Sequence, residues 1–376
     1  MTMLPDIQAL PQLENLRSLL IAGVPLIDLR APVEFAQGAL PTAFNLPLMN
    51  DAERAAVGTC YKKSGQEAAI ALGLKLVSGT VKQQRIKAWA EYVAQHPEAV
   101  LYCFRGGLRS KISQYWLYEH TGKVYPSVKG GYKALRRLLL DELDSFATKF
   151  QVVVISGRTG SGKTRFLQQF PQTLDLEALA NHRGSAFGPK VTPQPSQINF
   201  ENNLALQLMQ HEAAGHHTLF LEDESRNIGS IHVPEAILAQ LKVAPLVLLE
   251  TDDETRVQIS YQEYVLDMMA AFRAHHSDEA MALQAFSAYL LGSLQKIHKR
   301  LGGVRYANIK AMMQAALDEQ TLTGHTEAHL EWVKVVLLDY YDPMYDYQLA
   351  CKEGRVVFRG DATAVREYLF LCDTNV

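Results

Sequence analysis

The chain has 376 residues, of which 48% are hydrophobic and 20% are charged. This composition excludes a disordered or collagen-like chain, and at about 150 residues per domain the length predicts two or three domains. The longest apolar runs are far shorter than the ~20 residues of a membrane-spanning helix, and no basic region followed by an apolar one opens the sequence. We therefore expect a cytoplasmic protein with no membrane partner.

The net charge of -3 conceals an asymmetry along the chain. The first 140 residues contain 17 Lys and Arg against 10 Asp and Glu, so the basic excess lies in the N-terminal third. A basic region can attract a polyanion on a slightly acidic protein, because salt limits the reach of each charge to about 10 Å. Nucleic acid is therefore a permitted partner, although the charge alone does not require one.

Short apolar strands alternate with amphipathic helices before residue 137, which indicates an α/β domain. The predicted strands are 25–29 and 99–102, and the predicted helices are 80–96 and 110–120. We place a domain boundary at 137/138 and expect residues 138–376 to form a second α/β domain. Its predicted strands are 151–156, 218–222, 244–250 and 333–339, and a helical insertion is expected over about 253–320.

A cysteine follows the strand 99–102 and precedes a Gly-Gly loop and a helix, in the segment CFRGGLRS. Loop NH groups and nearby arginines favour a thiolate, which is the nucleophilic form, and can hold a phosphate-like anion above the sulfur. The residues predicted for this role are Cys103 as nucleophile and Arg105, Gly106, Gly107 and Arg109 as the anion loop. The alternative is a buried, unreactive cysteine.

The other cysteines, at 60, 351 and 372, give weaker signals. The sequence has no C-x-x-C pair, so it indicates neither a zinc site nor a disulfide framework. For Cys60 we expect a structural role.

The segment GRTGSGKT follows the strand 151–156 directly and matches G-x-x-x-x-G-K-[ST]. Glycines let the backbone NH groups surround a diphosphate, the lysine adds a full positive charge, and the threonine hydroxyl is the usual ligand of Mg²⁺. The predicted phosphate-binding residues are Gly157, Arg158, Thr159, Gly160, Ser161, Gly162, Lys163 and Thr164. No N-K-x-D motif is present, so a GTPase is disfavoured, while ATP and a non-nucleotide diphosphate both remain open.

Further polar residues are candidates for the same site. Glu222 or Asp223, at the end of the strand 218–222, would reach a metal ion in a Walker B arrangement, although acidic residues after strands are common. His182 and Arg183 precede Gly184 in a polar loop and are candidates for contacts with phosphate, substrate or metal.

A basic cluster in the expected helical part contains Lys299, Arg300 and Arg305. These residues are candidate contacts for RNA phosphates, and the alternative is a solvated helix face. Phe187 and Phe200 are candidates for stacking on a base, although core packing is the more frequent role of such residues.

The first 135 residues resemble a rhodanese domain: DLRAPVEF at 28–35 is similar to the early strand motif of that family, and Cys103 stands at its persulfide-forming position. The order CFRGGLRS, GRTGSGKT and NHRGSAFG resembles the tRNA 2-selenouridine synthase family over essentially the full length. The fold that this implies is α/β, with a rhodanese-like domain followed by a P-loop domain that carries a helical insertion.

The resemblance implies a transferase that acts on the wobble uridine of tRNA. Selenium from selenophosphate would replace the sulfur of 2-thiouridine, through a geranylated intermediate made from geranyl diphosphate. Cys103 would attack selenium or hold it as a selenosulfide, and the P-loop would hold the diphosphate leaving group. The implied partners are thiouridine tRNA and the enzyme that produces selenophosphate; Mg²⁺ would be an optional ion, and no tightly bound organic cofactor is expected.

A function from another class also fits the motifs. The chain would then be a nucleotide-hydrolysing kinase or ATPase, with the rhodanese module as a sulfur carrier or sensor. A non-catalytic phosphate-binding scaffold is disfavoured, because Cys103 and Lys163 are both present.

Overall fold

The computed structural model describes residues 10–373, and these residues form two compact units. The first unit contains the chain up to Ser145 together with Ser196–Ala214, and the second contains Phe146–Pro195 and the chain from Gly215 onward. The boundary expected at 137/138 lies inside a helix, Gly131–Asp144, and the division falls after that helix ends.

The strands, in chain order, are β1 Gln12–Leu13, β2 Leu26–Asp28, β3 Ala43–Asn45, β4 Val100–Tyr102, β5 Ser127–Val128, β6 Gln151–Ser156, β7 Thr218–Glu222, β8 Asn227–Ile228, β9 Ile231–His232, β10 Leu246–Leu249 and β11 Val356–Gly360. The α-helices are α1 Leu16–Ile21, α2 Pro32–Gln37, α3 Asp51–Leu76, α4 Gly79–Gln95, α5 Leu108–Thr121, α6 Gly131–Asp144, α7 Phe146–Lys149, α8 Lys163–Leu167, α9 Leu176–Ala180, α10 Gln197–Ala213, α11 Glu235–Val243, α12 Asp253–Tyr261, α13 Asp267–His275, α14 Glu279–Leu301, α15 Gly303–Thr323, α16 His329–Val336, α17 Asp342–Ala350 and α18 Ala362–Asp373. Two π-helical turns, Gln262–Leu266 and Leu337–Tyr341, and a 3₁₀ turn, Glu353–Arg355, complete the regular structure of residues 10–373.

The first unit is built on a parallel five-stranded sheet in the order β1-β5-β4-β2-β3. The predicted strands 25–29 and 99–102 are confirmed as β2 and β4, which pair with each other through Asp28 and Tyr102. The predicted helices 80–96 and 110–120 are confirmed as α4 and α5. Since parallel strands end at the same edge of a sheet, the residues after Asp28 and Tyr102 are brought to one edge.

Helix α10 belongs to the first unit although it lies far along the chain. Asn202 of α10 is buried, donates to the carbonyl oxygen of Ala39 at 2.7 Å and accepts from Arg136 of α6 at 2.7 Å. Asn199 accepts from the backbone NH of Ala39 at 2.7 Å. These contacts join residues more than 60 positions apart, so sequence periodicity does not reveal them.

The second unit is built on a parallel four-stranded sheet in the order β11-β10-β6-β7. The predicted strands 151–156, 218–222 and 244–250 are confirmed as β6, β7 and β10. The predicted strand 333–339 is wrong, because these residues form the end of α16 and the π-helical turn that follows it. A short apolar run can pack as a helix as well as a strand, and here Val333, Val336 and Leu337 are buried on one helical face.

The remaining strand of this sheet is β11, which sequence analysis missed. The helical part was expected to end near residue 320, but helices continue through α16 and α17 to Ala350. Its core packs around Phe187, Phe286 and Trp332, all fully buried. Within residues 10–373, no helix combines the length and apolar character that a membrane crossing requires.

Replacement of Asn202 by alanine tests the role of α10 in the first unit. We expect a loss of about 2 kcal/mol in the free energy of unfolding, because a buried carbonyl oxygen and a guanidinium lose a partner. The control is Asn203→Ala, because Asn203 is half-buried on the same helix and donates only to Asn199 one turn earlier. Urea unfolding should place this control within about 0.5 kcal/mol of the wild type; equal losses for the two variants would contradict the assignment.

Candidate functional site

The P-loop of the second unit leaves β6 at Ser156 and enters α8 at Lys163. Gly160 and Gly162 have φ of +79° and +80°, a region that favours glycine. A Cβ on Gly160 would lie 2.7 Å from the carbonyl oxygen of Arg256, and one on Gly157 would lie 2.6 Å from that of Leu249. The glycines are therefore required by backbone conformation and by close packing. Helix α8, which follows the loop, has only five residues.

Two side chains of the P-loop are held by hydrogen bonds within the protein. Lys163 donates to the carbonyl oxygen of Gly157 at 2.8 Å, so its ammonium group is bound back over the loop. Thr164 donates through its hydroxyl to Glu222 at 2.6 Å, at the carboxyl end of β7. The loop thus presents an ammonium group and a hydroxyl–carboxylate pair next to each other.

The two Walker B candidates have different surroundings. Asp223 accepts from the hydroxyl of Ser156 at 2.8 Å and from the ammonium group of Lys352 at 2.8 Å, so its charge is balanced within the protein. Glu222 faces the P-loop threonine instead. Of the two, Glu222 has the geometry of a metal ligand.

Glu222 is part of a carboxylate cluster with Glu177 of α9 and Glu224, whose candidate ligand oxygens all lie within 4.8 Å of one another. Burial, and then the charges of Glu222 and Glu224, raise the pKa of Glu177 to about 9. Burial and the charge of Glu222 raise the pKa of Glu224 to about 7. Burial also raises the pKa of Glu222, although Lys163 opposes this. Burial is thus the main cause for all three carboxyl groups, and a divalent cation with oxygen ligands would favour their charged forms.

The loop that contains His182 and Arg183 closes on this cluster. Asn181 starts it with a φ of +50° and donates to Thr192 at 2.8 Å. Gly184 donates its backbone NH to Glu177, and a Cβ at this position would lie 3.0 Å from the carboxylates of both Glu177 and Glu224. Glycine is thus the residue that lets the loop approach the carboxylates.

The two predicted residues of this loop are only partly paired. Arg183 lies 4.0 Å from Glu263, and its Nη1 atom is buried without a hydrogen-bond partner in the described residues. His182 is buried, and its Nδ1 atom is likewise without a partner there. Burial, and then the nearby charges of Lys296 and Lys190, lower the pKa of His182, so the neutral imidazole is favoured.

The helical part fixes the other side of the P-loop. Arg256 of α12 is fully buried, donates to the carbonyl oxygen of Thr159 at 3.1 Å and forms an ion pair with Asp342 of α17. Arg158 makes a bidentate ion pair with Asp346, one helical turn further along α17, at 2.9 Å. The P-loop is therefore attached at two successive residues to α12 and α17.

The cysteine loop of the first unit leaves the central strand β4 and enters α5. Cys103 is buried, and its carbonyl oxygen accepts from the backbone NH of Tyr132 at 2.9 Å. Gly106 has a φ of +63° and Gly131 a φ of +60°, and a Cβ on Gly131 would lie 2.2 Å from the carbonyl oxygen of Cys103. The segment before α6 thus packs directly against the loop and holds its shape.

The two arginines of the cysteine loop differ. Arg109 forms an ion pair with Glu34 of α2 at 2.8 Å. Burial by itself would raise the pKa of Glu34, but the contact with Arg109 lowers it. Glu34 is therefore charged and balances the charge of Arg109. Arg105 is exposed, and its guanidinium lies 6.0 Å from the ring centroid of Phe104. Arg105 is accordingly the arginine of the loop that is open to an anion.

A buried ion pair lies at the same edge of the sheet. Arg30 donates to Asp28 at 2.6 Å, and both side chains are almost completely buried. Tyr102, next to Cys103, donates to the same carboxylate at 2.6 Å, and the ring of Tyr132 stacks on the Arg30 guanidinium at 3.7 Å. This network connects the DLRAPVEF segment with the start of the cysteine loop, through Tyr102, and with α6, through Tyr132.

The other candidates are distributed as follows. Lys299, Arg300 and Arg305 are exposed where α14 ends and α15 begins. Phe187 is fully buried and stacks on Trp332, and Phe200 is fully buried in α10, so both are core residues rather than stacking platforms. Cys60 is a half-buried free thiol on α3, Cys351 is an exposed one, and the side chain of Cys372 lies outside the described residues.

Sequence analysis missed four residues of the P-loop site: Glu177, Glu224, Arg256 and Asp342. Glu177 lies five positions before His182, and Glu224 lies two after Glu222, so both are close in sequence to predicted site residues. Nothing in the sequence shows that they converge. Arg256 and Asp342 are 86 positions apart, and a lone arginine in a helix gives no signal of such a pair.

The second unit is a P-loop α/β domain, with a phosphate cradle at the end of its central strand and a carboxylate cluster beside it. A family model described as the tRNA 2-selenouridine synthase AAA domain matches residues 150–373. The chain is 51% identical to the tRNA 2-selenouridine synthase of Marinobacter nauticus, over 95% of this chain and 97% of that protein. The protein of the same name from Shewanella denitrificans is also 51% identical, over 94% of this chain and 95% of its own. The chain belongs to the tRNA 2-selenouridine synthase family.

One solved structure, titled as the N-terminal domain of an ATP/GTP-binding protein from Clostridium difficile 630, is 31% identical over 31% of this chain and 90% of its own. Its TM-score is 0.28, which is too low to support a comparison of folds.

Replacement of Asp342 by asparagine tests the attachment of the P-loop. We expect a loss of about 3 kcal/mol in the free energy of unfolding, because the buried Arg256 keeps its charge and loses its buried partner. The control is Asp346→Asn, since the pair between Asp346 and Arg158 is exposed and should contribute at most about 1 kcal/mol. Denaturant unfolding measures both variants, and a smaller loss for Asp342→Asn than for the control would refute the assignment.

Proposed function

We propose that this chain replaces the sulfur of 2-thiouridine by selenium at the wobble position of tRNA, in two steps that use its two loops. The observation that carries the proposal is the similarity to tRNA 2-selenouridine synthases over about 95% of the chain. The first step makes a geranylated thiouridine, and the second exchanges the geranylated sulfur for selenium. On this proposal the first unit is a rhodanese-like domain and the chain is a transferase.

The P-loop unit carries out the first step. The sulfur of thiouridine attacks the first carbon of geranyl diphosphate, a carbon–sulfur bond forms, and the carbon–oxygen bond to diphosphate breaks. Negative charge develops on the departing diphosphate, where Lys163 and the backbone NH groups of residues 157–164 stabilise it. The thiouridine ring loses its N3 proton to solvent, which balances the charge.

The donor set beside the P-loop fits a magnesium ion. The hydroxyl of Thr164 and the carboxylates of Glu177, Glu222 and Glu224 are hard oxygen ligands, and the candidate ligand oxygens of the three carboxylates lie within 4.8 Å of one another. Burial raises the pKa of each carboxyl group, and a bound cation would favour the charged forms. When bound, the ion would neutralise the charge of a diphosphate. His182 and Arg183, on the loop that closes over the cluster, are proposed contacts of the substrate.

The cysteine unit carries out the second step. Alkylation makes the sulfur a good leaving group, so selenium from selenophosphate can add at carbon 2 of the ring. The carbon–selenium bond forms, the carbon–sulfur bond breaks, geranyl thiol leaves with a proton, and water removes the phosphoryl group from selenium as phosphate. Cys103 makes no bond to selenium in this step: its thiol gives the departing sulfur its proton and regains one from solvent. Arg105 with the NH groups of Gly106 and Gly107 binds the anionic donor.

The exposed basic residues between α14 and α15 are proposed contacts for the phosphates of the tRNA. They are Lys299, Arg300 and Arg305.

A nucleotide-hydrolysing function is the second candidate. A cavity of about 300 Å³ adjoins Gly157 and Ser161 of the P-loop and is lined by polar residues such as Glu250 and Arg359, which suits a polar nucleoside better than a prenyl chain. Turnover of ATP alone at an ordinary enzyme rate would support this candidate; consumption of geranyl diphosphate without nucleotide hydrolysis would exclude it.

The two steps can be separated by two variants. We expect Lys163→Ala to lose geranylation by at least about 100-fold while it still converts pre-geranylated tRNA to the selenium form. Cys103→Ser should keep geranylation and lose selenium incorporation. The assay uses thiouridine tRNA and chemically geranylated tRNA as two substrates, and mass spectrometry of the nucleosides reads the products.

The matched control for Lys163→Ala is Lys242→Ala, because Lys242 is an exposed lysine of the P-loop unit. The matched control for Cys103→Ser is Cys60→Ser, because Cys60 is a free cysteine of the first unit that lies outside the cysteine loop. Both should behave as the wild type. If Lys163→Ala lost both activities, the division of labour between the loops would be wrong, and if Cys103→Ser still made selenouridine at the wild-type rate, Cys103 would have no role.

Magnesium should stabilise the protein without any substrate. At about 100 times its dissociation constant, a bound ion adds about 2.7 kcal/mol to the free energy of unfolding. Glu222→Gln should not show this increase in the free energy of unfolding when magnesium is added. Without metal, the variant should be at least as stable as the wild type at neutral pH, because the substitution removes one buried carboxyl group from the cluster. The control is Glu250→Gln, an exposed carboxylate just after β10 of the same sheet. Thermal unfolding with magnesium or with EDTA checks both; a full magnesium effect in Glu222→Gln would disprove the site.

A further inference from the structure

The first unit contains a cavity of about 520 Å³ beside the cysteine loop. Its walls are mainly apolar side chains, and the loop residues Arg105, Gly107 and Arg109 form part of its lining. The apolar side chains that matter below are Val57, Ile70, Leu74, Ile112 and Trp116. A volume of this size is typical of a site for a small ligand.

Helix α3 forms much of this cavity because it is interrupted at Gly65, which has a φ of +80°. Val57 lies on the half before the interruption, and Ile70, Gly73 and Leu74 lie on the half after it, so both halves contribute walls. Opposite them, Ile112 and Trp116 come from α5, the helix that begins just after the cysteine loop. The cavity is thus an apolar space with one edge at the loop that follows Cys103.

The chemistry of the second step puts an apolar group at this place. The geranyl chain is attached to the sulfur on carbon 2, and selenium adds to that same carbon. When selenium is transferred beside Cys103, the chain must therefore begin within two bonds of the reacting carbon, next to the cysteine loop. If the ten-carbon chain stayed in water there, the complex would lose about 0.8 kcal/mol of binding free energy for each methylene group that burial could have removed from water.

Two cavities in the described part of the P-loop unit are more polar. One of about 510 Å³ is lined by His182, Lys190 and Lys296 among other residues, and one of about 300 Å³ is lined by Arg158, Glu250, Asp346 and Arg359 among others. Neither offers walls as apolar as those around Trp116.

We propose that the cavity between α3 and α5 binds the S-linked geranyl chain of the modified uridine during selenium transfer. The assignment deepens the proposed function and rests on it. The apolar walls take up the chain, while the exposed Arg105 at the same edge provides positive charge for the anionic selenium donor. The site therefore selects uridines that have already been alkylated with a long apolar group.

The test compares two leaving groups of the same chemistry and different size. Wild-type protein, selenophosphate and tRNA with either S-geranyl- or S-methyl-2-thiouridine should give selenouridine with a kcat/KM at least about tenfold higher for the geranyl substrate. Tenfold corresponds to the burial of only about two methylene groups. Gly73→Phe should remove this preference and leave the rate on the methyl substrate unchanged.

Gly73 suits the experiment because a Cβ there meets only Val57, at an ordinary 3.7 Å, so a larger side chain can enter the cavity. A larger residue also improves the helix propensity of this position. The matched control is Gly58→Phe on the same helix, where a Cβ meets nothing within 4 Å and no wall of the cavity is formed. Gly73→Leu is the milder substitute if the phenylalanine variant does not fold.

A binding measurement keeps the inference separate from the proposed function. A geranyl thiol with a diazirine group, photolysed with the full-length protein, should label peptides from residues 57–77 and 105–116, and Gly73→Phe should reduce this labelling at least about tenfold. Labelling elsewhere, or a geranyl preference that survives in Gly73→Phe, would overturn the inference. If the wild type converted neither substrate, the proposed function would fail, while the labelling would still decide where the chain binds.

Discussion

The P-loop unit depends on one buried ion pair, between Arg256 and Asp342. Arg256 also donates to Thr159, and its own carbonyl oxygen lies so close to Gly160 that no side chain fits there. Asp342 follows Tyr341, whose hydroxyl accepts from the backbone NH of Ala186 in the loop that covers the carboxylate cluster. A buried pair of this kind tolerates little displacement, because a charge without its partner in the interior costs several kcal/mol. The helical part therefore fixes both the P-loop and the loop opposite to it.

Between these two fixed loops, the protein places groups with opposite preferences. The backbone NH groups and Lys163 favour an anion, whereas Glu177, Glu222 and Glu224 repel one another and favour a cation. An anion alone would bind favourably to Lys163 and the NH groups but would be repelled by charged carboxylates. A cation alone would be attracted by the carboxylates and repelled by Lys163. A diphosphate with its metal ion satisfies both at once. The charge of Asp223, by contrast, is already balanced by Lys352.

The sequence predicts those parts of the candidate sites whose residues are close together along the chain. The P-loop and the cysteine loop were found because a turn, its glycines and its charged residue lie within eight positions, and both follow strands that the apolar pattern predicts. The carboxylate cluster and the Arg256–Asp342 pair were not found, because each depends on segments that only the tertiary structure brings together. The run at 333–339 was read as a strand because its apolar residues are continuous, and only the buried helical face of Trp332, Val333 and Val336 decides for a helix. The actual strand β11 has alternating burial on a partly exposed edge, which gives a weaker signal.

On the proposed function, the apolar cavity beside Cys103 gives the alkylation step a second physical role. Geranylation improves the leaving group, but a methyl group would do that as well, and with a much smaller donor. The long chain changes one further property of the uridine, namely the apolar area that it can bury, and this is the property that the space between α3 and α5 can recognise. Thiouridine that has not yet been alkylated gains nothing from this cavity, so it competes poorly for the selenium donor. On the proposed function, the first step therefore produces both the reactivity and the affinity that the second step requires, and these two properties together set the order of the reactions.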